Sequence, residues 1–407
     1  MHESHSSGQS PLTSSVFLPQ EQLVAVKKQQ QHLVIGIPKE TSYQENRIPL
    51  VPEAVAQLVN NGHELLIETG AGIASKFQDS DYSEAGARIC YSAEEVYKAG
   101  IVLKVAPPSM EELELIQPRQ TLISILQMST QNEQYIRRLS SKKITAIGYE
   151  YIYDDSGAYP IIQAMSEIVG SASIQIAGEY LSNAFNGKGE LLGGVAGIPP
   201  TQVVIIGAGT VGEFAARAAL GLGADVKVFD NSVARLRRIQ SRLGQRVFTS
   251  IITSNSLLKE LRTADVALGA LRSSGGRTPV VVTEEMVAEM RVGSVIIDVS
   301  IDQGGCFETS EVTNHSQPVF KKYGVVHYCV PNIASRVSRT ASMAFSNVFT
   351  PMLINAGDEG GFEEMLWKYK SVRKGVYIYR GSITNRFVAE SSGLPYKDLD
   401  LLMAARV

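Results

Sequence analysis

The chain has 407 residues and a net charge of -3, from 38 Lys+Arg against 41 Asp+Glu. Its 44% hydrophobic and 19% charged residues are typical of a globular protein, and the length predicts two domains. The near-balance of charge argues against a nucleic-acid or anionic-membrane partner, which would favour a basic excess. The three cysteines, Cys90, Cys306 and Cys329, are too few and too scattered for a disulfide framework or a Cys-rich zinc site. We therefore expect a reduced, cytoplasmic protein without a metal.

The first 32 residues are rich in Ser and Gln and lack the apolar core of a signal peptide. No later apolar stretch reaches the roughly 18–20 residues that cross a bilayer. We expect a disordered polar tail over residues 1–32 and no membrane partner.

From Leu33 onward, short apolar runs alternate with helical patterns. A helix is predicted over Pro52–Gly62, and a second from Ser92, where Ser92 and Glu95 have the spacing of a capping box. This alternation predicts a mostly parallel sheet with helical crossovers over residues 33–160. The predicted strands are Leu33–Pro38, Glu64–Gly70, Ile101–Val105, Thr121–Leu126 and Ile144–Glu150.

A long helical pattern over Ala164–Ala184 suits a connector between two domains, and a capped helix is predicted over Thr283–Met290. The strands of this part are continuously apolar, which is typical of strands covered on both faces. They are Val203–Ile206, Val226–Asp230, Val266–Leu271 and Val295–Ser300. We predict an α/β protein with two Rossmann-like, doubly wound domains separated by a cleft. Residues 33–160, completed by 339–407, form one domain, and residues 161–338 form the other.

The strongest motif is G-x-G-x-x-G, formed by Gly207, Gly209 and Gly212 between a predicted strand and a predicted helix. In this setting the glycines permit a tight turn, close approach to a pyrophosphate and close helix–strand packing. A glycine-rich structural turn is the alternative. Asp230 ends the next strand, where an acid binds a ribose hydroxyl, so residues 161–338 are predicted to bind a dinucleotide.

The same acid favours NAD as the cofactor. A carboxylate at the position of Asp230 repels the 2′-phosphate of NADP. The arginines that follow, Arg235, Arg237 and Arg238, make NADP disfavoured rather than excluded.

Three polar residues are candidates for a substrate site. Arg47 lies in a polar loop and could hold a carboxylate, although a loop arginine is usually solvated surface. Lys104 interrupts an apolar strand, so it needs an anionic partner or a lowered pKa. Asp302 follows a strand of the nucleotide domain, at the edge where ligands bind. A snorkelling side chain, a strand-end cap or a turn are the structural alternatives.

Several strings together resemble the alanine dehydrogenase family, which is related to the nucleotide-handling part of proton-translocating transhydrogenase. The similarity extends over roughly Leu33 to Tyr396. The strings include IPKETSYQENRIPLVPEAV, IVLKVAPP, MSEIVG, ELLGGVAGIPPTQVVIIGAGTVG, VIIDVSIDQGGCFET and HYCVPNIASRVSRT.

The resemblance implies a homohexameric enzyme that oxidatively deaminates L-alanine to pyruvate and ammonia with NAD, reversibly. It implies that Arg47 and Lys104 bind the substrate and that Asp302 is the acidic catalytic residue. The cofactor contacts that it implies are Ser166, Asp230, Arg235 and Asn332.

Three features depart from the family pattern. Where the family has its proton-transfer histidine the chain has Gln127, which cannot titrate, and Ile125 replaces an aromatic residue. A loop that is hydrophobic-Pro-Gly in the family reads RSSGGRTP here, over Arg272–Pro279. We expect no other histidine to take the position. The others outside the tail region are His63, His315 and His327.

The chemistry that remains would use Lys104 and Asp302 for proton transfer, provided that desolvation lowers the pKa of Lys104, with Gln127 polarising the substrate carbonyl. Two alternatives stay open. One is a dehydrogenase of the same fold for another small 2-amino or 2-oxo acid, and the other is a catalytically silent NAD(H)-binding protein.

Overall fold

The computed structural model describes residues 30–127, 131–273 and 276–405, so most of the predicted N-terminal tail lies outside the described residues. The strands are β1 Val34–Ile37, β2 Glu64–Glu68, β3 Arg88–Cys90, β4 Ile101–Leu103, β5 Thr121–Ser124, β6 Thr145–Gly148, β7 Gln202–Ile206, β8 Asp225–Phe229, β9 Phe248–Ser250, β10 Val266–Gly269, β11 Val295–Asp298, β12 Val319–Lys322, β13 Val325–Tyr328, β14 Val376–Tyr379 and β15 Ser382–Ile383.

The helices are α1 Pro52–Asn60, α2 Asp79–Glu84, α3 Ala93–Val96, α4 Met110–Leu115, α5 Glu133–Ser141, α6 Pro160–Leu181, α7 Thr210–Gly221, α8 Val233–Leu243, α9 Ser254–Leu261, α10 Glu284–Ala288, α11 Ser338–Asp358, α12 Phe362–Lys368, α13 Lys370–Arg373, α14 Arg386–Ser392 and α15 Leu399–Ala404. Short 3₁₀ turns follow β6 and β11, and a third precedes α11.

The first sheet has eight strands in the order β15-β14-β6-β5-β4-β1-β2-β3. The strands from β1 to β6 pair in parallel, whereas β14 is antiparallel to both β6 and β15. The C-terminal part of the chain thus returns to complete this sheet.

The second sheet has seven strands in the order β12-β13-β11-β10-β7-β8-β9, and only the β12–β13 pair is antiparallel. Its central strands β10 and β11 are buried along their whole length, as their apolar sequences predict for a sheet covered on both faces. The prediction of an α/β fold with two mostly parallel, Rossmann-like sheets is confirmed.

Helices α6 and α11 connect the two sheets and position the segment around Arg47. In α11, the hydroxyls of Ser342 and Ser346 accept hydrogen bonds from the backbone N–H groups of Ile48 (2.9 Å) and Val51 (2.9 Å). In α6, a Cβ at Gly170 would lie 2.4 Å from a backbone oxygen of α7, so glycine permits this close helix packing.

One local prediction is corrected by the structure. Ser92 precedes α3, but its side chain makes no capping hydrogen bond, so the capping box with Glu95 does not form. A capping box forms instead at α4, where Ser109 Oγ accepts from Glu112 N (3.2 Å) and Ser109 N donates to Glu112 Oε2 (2.7 Å). None of the helices in the described part of the chain is long and apolar enough to span a membrane.

Candidate functional site

Two adjoining cavities lie where the two sheets face each other. The first, which we name the Arg47 cavity, has a volume of about 620 Å³. The second, the Arg272 cavity, has a volume of about 880 Å³. Asp302 and Ile162 line both cavities, so they form one continuous cleft.

The glycine-rich loop fits the pyrophosphate of a dinucleotide. Gly207 has a φ of +118°, and a Cβ there would lie 2.4 Å from Ala270 O. A Cβ at Gly212 would lie 1.8 Å from Gly207 O, whereas the space beside Gly209 is open. Gly209 is the N-cap of α7 and supplies no side chain, so the first N–H groups of α7 are available to an anion.

The carboxylate of Asp230 is hydrogen-bonded to the backbone of this loop. Its Oδ2 accepts from Ala208 N (2.8 Å) and its Oδ1 from Ser232 N (2.7 Å), and its side chain is 4% exposed. Each oxygen keeps a lone pair for a ribose hydroxyl. Arg235 Nη1 lies 3.7 Å from Asp230 Oδ2, and Arg235 also lines the Arg272 cavity.

Arg47 lines the cavity that carries its name, but its charge is already paired. Nε donates to Glu45 Oε1 (2.7 Å) and Nη2 to Glu45 Oε2 (2.6 Å), a bidentate fork. The guanidinium also lies over the Phe345 ring, 5.4 Å from its centroid, and Nη1 faces the sulfur of Met165. Burial lowers the pKa of Arg47, but the carboxylate of Glu45 raises it by more, so the net shift is upward and Arg47 is a permanent cation. Its Nη1 is left to bind a ligand.

Asp302 lies on the 3₁₀ turn after β11 and is exposed within the cleft. Desolvation by the surrounding protein raises the pKa of its carboxyl, and the charge of Arg47 opposes that rise. Buried Asp298 holds the turn by accepting from Ser300 N (3.0 Å) and Cys306 N (2.9 Å). Asp302 itself accepts no hydrogen bond from the described residues, so it is available to a substrate.

Gln127 lines the Arg47 cavity and is exposed in it. Its φ of +48° is uncommon for a residue with a side chain and is typical of constrained functional segments. Glu150, which follows β6, anchors this segment because its Oε1 accepts from Leu126 N (2.8 Å) and Gln127 N (3.3 Å). Sequence reasoning missed Glu150, because it appeared only as the last residue of an apolar strand.

Lys104 does not reach the cleft. Its side chain is fully buried, and its ammonium lies 2.7 Å from Glu112 and 3.2 Å from Glu40. It is absent from the described lining of both cavities. Burial lowers the pKa of Lys104, but the two carboxylates outweigh burial and raise it, opposite to the lowered pKa that a proton-transfer role requires. The S-x-x-E spacing of Ser109 and Glu112 signals only the helix cap at α4, so the sequence contained no direct signal for this partner.

The remaining predicted residues divide between the cleft and its surroundings. Asn332 lines the Arg47 cavity and donates to Glu45 Oε2 (2.9 Å). Ser166 lies on α6, outside the described lining of both cavities. His315, which was not expected to take the proton-transfer position, lines the Arg47 cavity, with Nε2 3.3 Å from Asn332 O. The structure therefore adds a histidine to the cleft.

Two family models match the chain: the N-terminal domain of alanine dehydrogenase/PNT over residues 36–169 and the C-terminal domain over residues 173–386. This chain belongs to the alanine dehydrogenase/PNT family. Together the two matches include Arg47, the glycine-rich loop and Asp302.

Individual relatives cover nearly the whole chain. An alanine dehydrogenase of Methanococcus maripaludis is 38% identical over 366 residues, which is 89% of this chain and 98% of that protein. Alanine dehydrogenase 2 of Staphylococcus aureus is 39% identical over 369 residues, 90% of this chain and 98% of that protein. A solved L-alanine dehydrogenase has a TM-score of 0.83 and 37% identity, covering 88% of this chain and 99% of its own.

A solved transhydrogenase from Sinorhizobium meliloti shares the fold, with a TM-score of 0.73, 24% identity, and coverage of 86% of this chain and 98% of its own. The two-domain fold is thus common to both branches of the family.

Replacing Lys104 by Met tests its buried pairing. The variant leaves Glu40 and Glu112 buried without a cation, which should cost about 3–5 kcal/mol of unfolding free energy. Burial already raises the pKa of Glu40, and the loss of Lys104 raises it further. The folded variant therefore binds protons more tightly than the unfolded chain, and its stability falls as pH rises above the ordinary range of glutamate.

Urea unfolding of the wild type and of Lys104→Met, at pH values from the ordinary range of glutamate upward, measures the loss of unfolding free energy and its pH dependence. Lys188→Met is the matched control, because it removes a lysine that lies 2.5 Å from Asp265 and is 17% exposed. A Lys104→Met variant as stable as the wild type at every pH would contradict the buried pairing.

Proposed function

We propose that this protein is an NAD-dependent L-alanine dehydrogenase that converts L-alanine to pyruvate and ammonia, reversibly. The observation that carries the proposal is the continuous cleft between the two sheets, whose lining includes Arg47, Asp302 and Arg235. Arg235 links the cleft to the dinucleotide loop, because it lies 3.7 Å from Asp230, which accepts a hydrogen bond from that loop. The relatives named alanine dehydrogenase, which align over about 90% of the chain, support the same reaction.

The residues of the cleft suit a small amino acid. Arg47 binds the substrate carboxylate through Nη1, because Glu45 holds its other two nitrogens. Ile125, Met165 and Phe345 give the same cavity an apolar wall that suits a methyl side chain. The nicotinamide ring, when bound, accepts the hydride from the substrate α-carbon.

The acid–base assignment omits Lys104. Asp302 accepts a proton from the substrate ammonium, since its carboxylate lines both cavities and has no internal donor among the described residues. Gln127 polarises the substrate carbonyl by hydrogen bonding. Lys104 is assigned to the structure of the substrate domain, because its charge is neutralised outside the cleft.

NAD is the cofactor, and its contacts are assigned to the glycine loop, Asp230 and Arg235. Asn332 lines the cleft and also orients Glu45 by donating to its Oε2. Ser166 is assigned no contact, since it lies outside the described cavity lining.

A catalytically silent NAD(H)-binding protein is the second candidate. The observation that favours it is the loss of two expected proton carriers from the cleft. Gln127 cannot titrate, and the ammonium of Lys104 is held elsewhere.

We further propose a cytoplasmic homo-oligomer, a hexamer by family resemblance. Three apolar side chains on the loop between α6 and β7, Leu191, Val195 and Ile198, are 66%, 56% and 63% exposed. Such a cluster supports a contact between subunits. Cys90, Cys306 and Cys329 are buried and unpaired, which supports a reducing compartment.

A steady-state screen tests the function. NADH formation is measured with NAD and L-alanine, glycine, L-serine, L-valine or L-glutamate, and NADH consumption with pyruvate and ammonium. We expect L-alanine and pyruvate to give the highest kcat/KM, and NAD to be preferred over NADP. NADH binding without turnover of any amino acid would favour the silent candidate, and a strong preference for another acid would contradict the substrate assignment.

Arg47→Ala tests carboxylate binding. To avoid leaving a buried unpaired carboxylate, the variant is combined with Glu45→Gln. Loss of a charge-assisted hydrogen bond worth about 1.5–3 kcal/mol predicts a rise in the KM for L-alanine of roughly 10- to 150-fold, with NADH affinity nearly unchanged.

Arg339→Ala is the matched control for this pair, because its guanidinium also lies over an aromatic ring, Phe77, 4.2 Å from the centroid, but outside the described cavity lining. The control should keep the wild-type KM. A double variant that weakens NADH binding and spares L-alanine would place Arg47 on the cofactor side.

A further inference from the structure

We propose that Glu150 is a catalytic residue of this protein, the base that takes a proton from the water that attacks the substrate iminium carbon. The proposal rests on the proposed function and supplies the proton carrier that Gln127 cannot be. Neither the predicted roles nor the family resemblance assigned a function to this position.

The carboxylate of Glu150 has one oxygen fixed by hydrogen bonds and one buried oxygen without a partner among the described residues. Oε1 is fixed by the backbone N–H groups of Leu126 and Gln127. Oε2 is buried and has no hydrogen-bond partner among the described residues. A buried acceptor without a partner is costly unless it binds a proton, water or a ligand.

The backbone around Glu150 makes room for this oxygen. A Cβ at Gly148 would lie 2.9 Å from Oε2, so a side chain there would displace the carboxylate. The hydrogen bonds from Leu126 and Gln127 then tie the carboxylate to the segment that occupies the family's proton-transfer position. Glu150 is therefore bonded to that segment from the neighbouring strand end.

Glu150 also lines the Arg272 cavity together with Asp302 and Arg272. The cleft thus has two carboxyl groups in different surroundings. The charge of Arg47 lowers the pKa of Asp302, whereas the charge of the exposed Arg272 lowers the pKa of Glu150. Two carboxyls with different environments can divide the two proton transfers of the reaction.

The ionisation of Glu150 suits this role. Burial raises the pKa of Glu150 to about 7, against the backbone hydrogen bonds and Arg272, which lower it. Tyr149 and Tyr151 on its own turn and Tyr377 on β14 also interact electrostatically with Glu150. The other titratable groups in the described lining of the Arg272 cavity are Tyr159, Arg235, Arg277 and Asp302. A base with a pKa near neutrality transfers protons in both directions of a reversible reaction.

Hydrolysis of the iminium passes two protons through Glu150. Water adds to the iminium carbon, the C=N π electrons become the nitrogen lone pair, and the carboxylate of Glu150 takes one water proton. Glu150 returns that proton to nitrogen. The C–N bond breaks with its electron pair on ammonia, the O–H electrons form the C=O bond, and the hydroxyl proton passes through Glu150 to ammonia, giving ammonium.

His315 is the competing proton carrier in the cleft. Its Nε2 is 3.3 Å from Asn332 O, and its backbone N donates to Gln44 Oε1 (2.6 Å). These bonds tie His315 to the loop of Gln44 and to Asn332. Glu150, by contrast, bonds directly to the Gln127 segment and has a carboxylate oxygen without a partner among the described residues, which favours Glu150.

The test compares kcat–pH profiles of the wild type, Glu150→Gln, Glu150→Ala and His315→Gln in both directions. Deamination by the wild type should rise with pH through about 7, because the base must be ionised, and reductive amination should fall over the same range. Glu150→Gln should lower kcat roughly 10²-fold or more, remove the inflection and keep NADH affinity. Formate should restore part of the activity of Glu150→Ala, which a purely structural role does not predict.

Infrared spectroscopy of the unliganded protein gives a readout independent of turnover. A protonated-carboxyl band should fade as pH rises past about 7 and be absent in Glu150→Gln. An inflection that persists in Glu150→Gln, one that disappears in His315→Gln, or the absence of the band would each overturn the proposal. If the wild type turns over no amino acid, the proposed function fails as well, whereas full activity of Glu150→Gln refutes the role of Glu150 alone.

Discussion

The buried ammonium of Lys104 holds together the wall of the cleft. It pairs with Glu40, from the loop after β1, and with Glu112, from the start of α4. Glu40 in turn accepts from the backbone N–H groups of Val105 (2.6 Å) and Ala106 (3.3 Å), both of which line the Arg47 cavity. The ammonium of Lys104 and the carboxylates of Glu40 and Glu112 thus fix the end of β4. Removing the cation or the carboxylates would leave a buried charge uncompensated.

The fold could be predicted from the sequence because its signals are local. Apolar runs of four to six residues, capped helices and the glycine motif predict the two parallel sheets and the loop at Gly207. The antiparallel β14 could not be predicted, because its partner β6 lies more than 200 residues away and pairing at that distance leaves no periodic signal. The strand ends also differ by one or two residues, as for Val266–Gly269.

The site was predictable only in part, because side-chain pairing depends on tertiary contacts. Arg47 and Asp302 follow from charge and strand position, and both line the cleft. For Lys104 the sequence showed that a buried lysine needs an anion but could not show that the anion would be an internal glutamate rather than a substrate. His315 and Glu150 reach the cleft through loop and turn geometry that a single sequence does not contain.

The most direct test of the central claim, that substrate and nicotinamide react within this one cleft, is isotope transfer. The protein is incubated with NAD and L-alanine that carries deuterium on the α-carbon, and the NADH is analysed by mass spectrometry and proton NMR. Direct transfer predicts one deuterium per NADH, on a single face of C4 of the nicotinamide. Unlabelled NADH, or no NADH at all from L-alanine, would contradict the account.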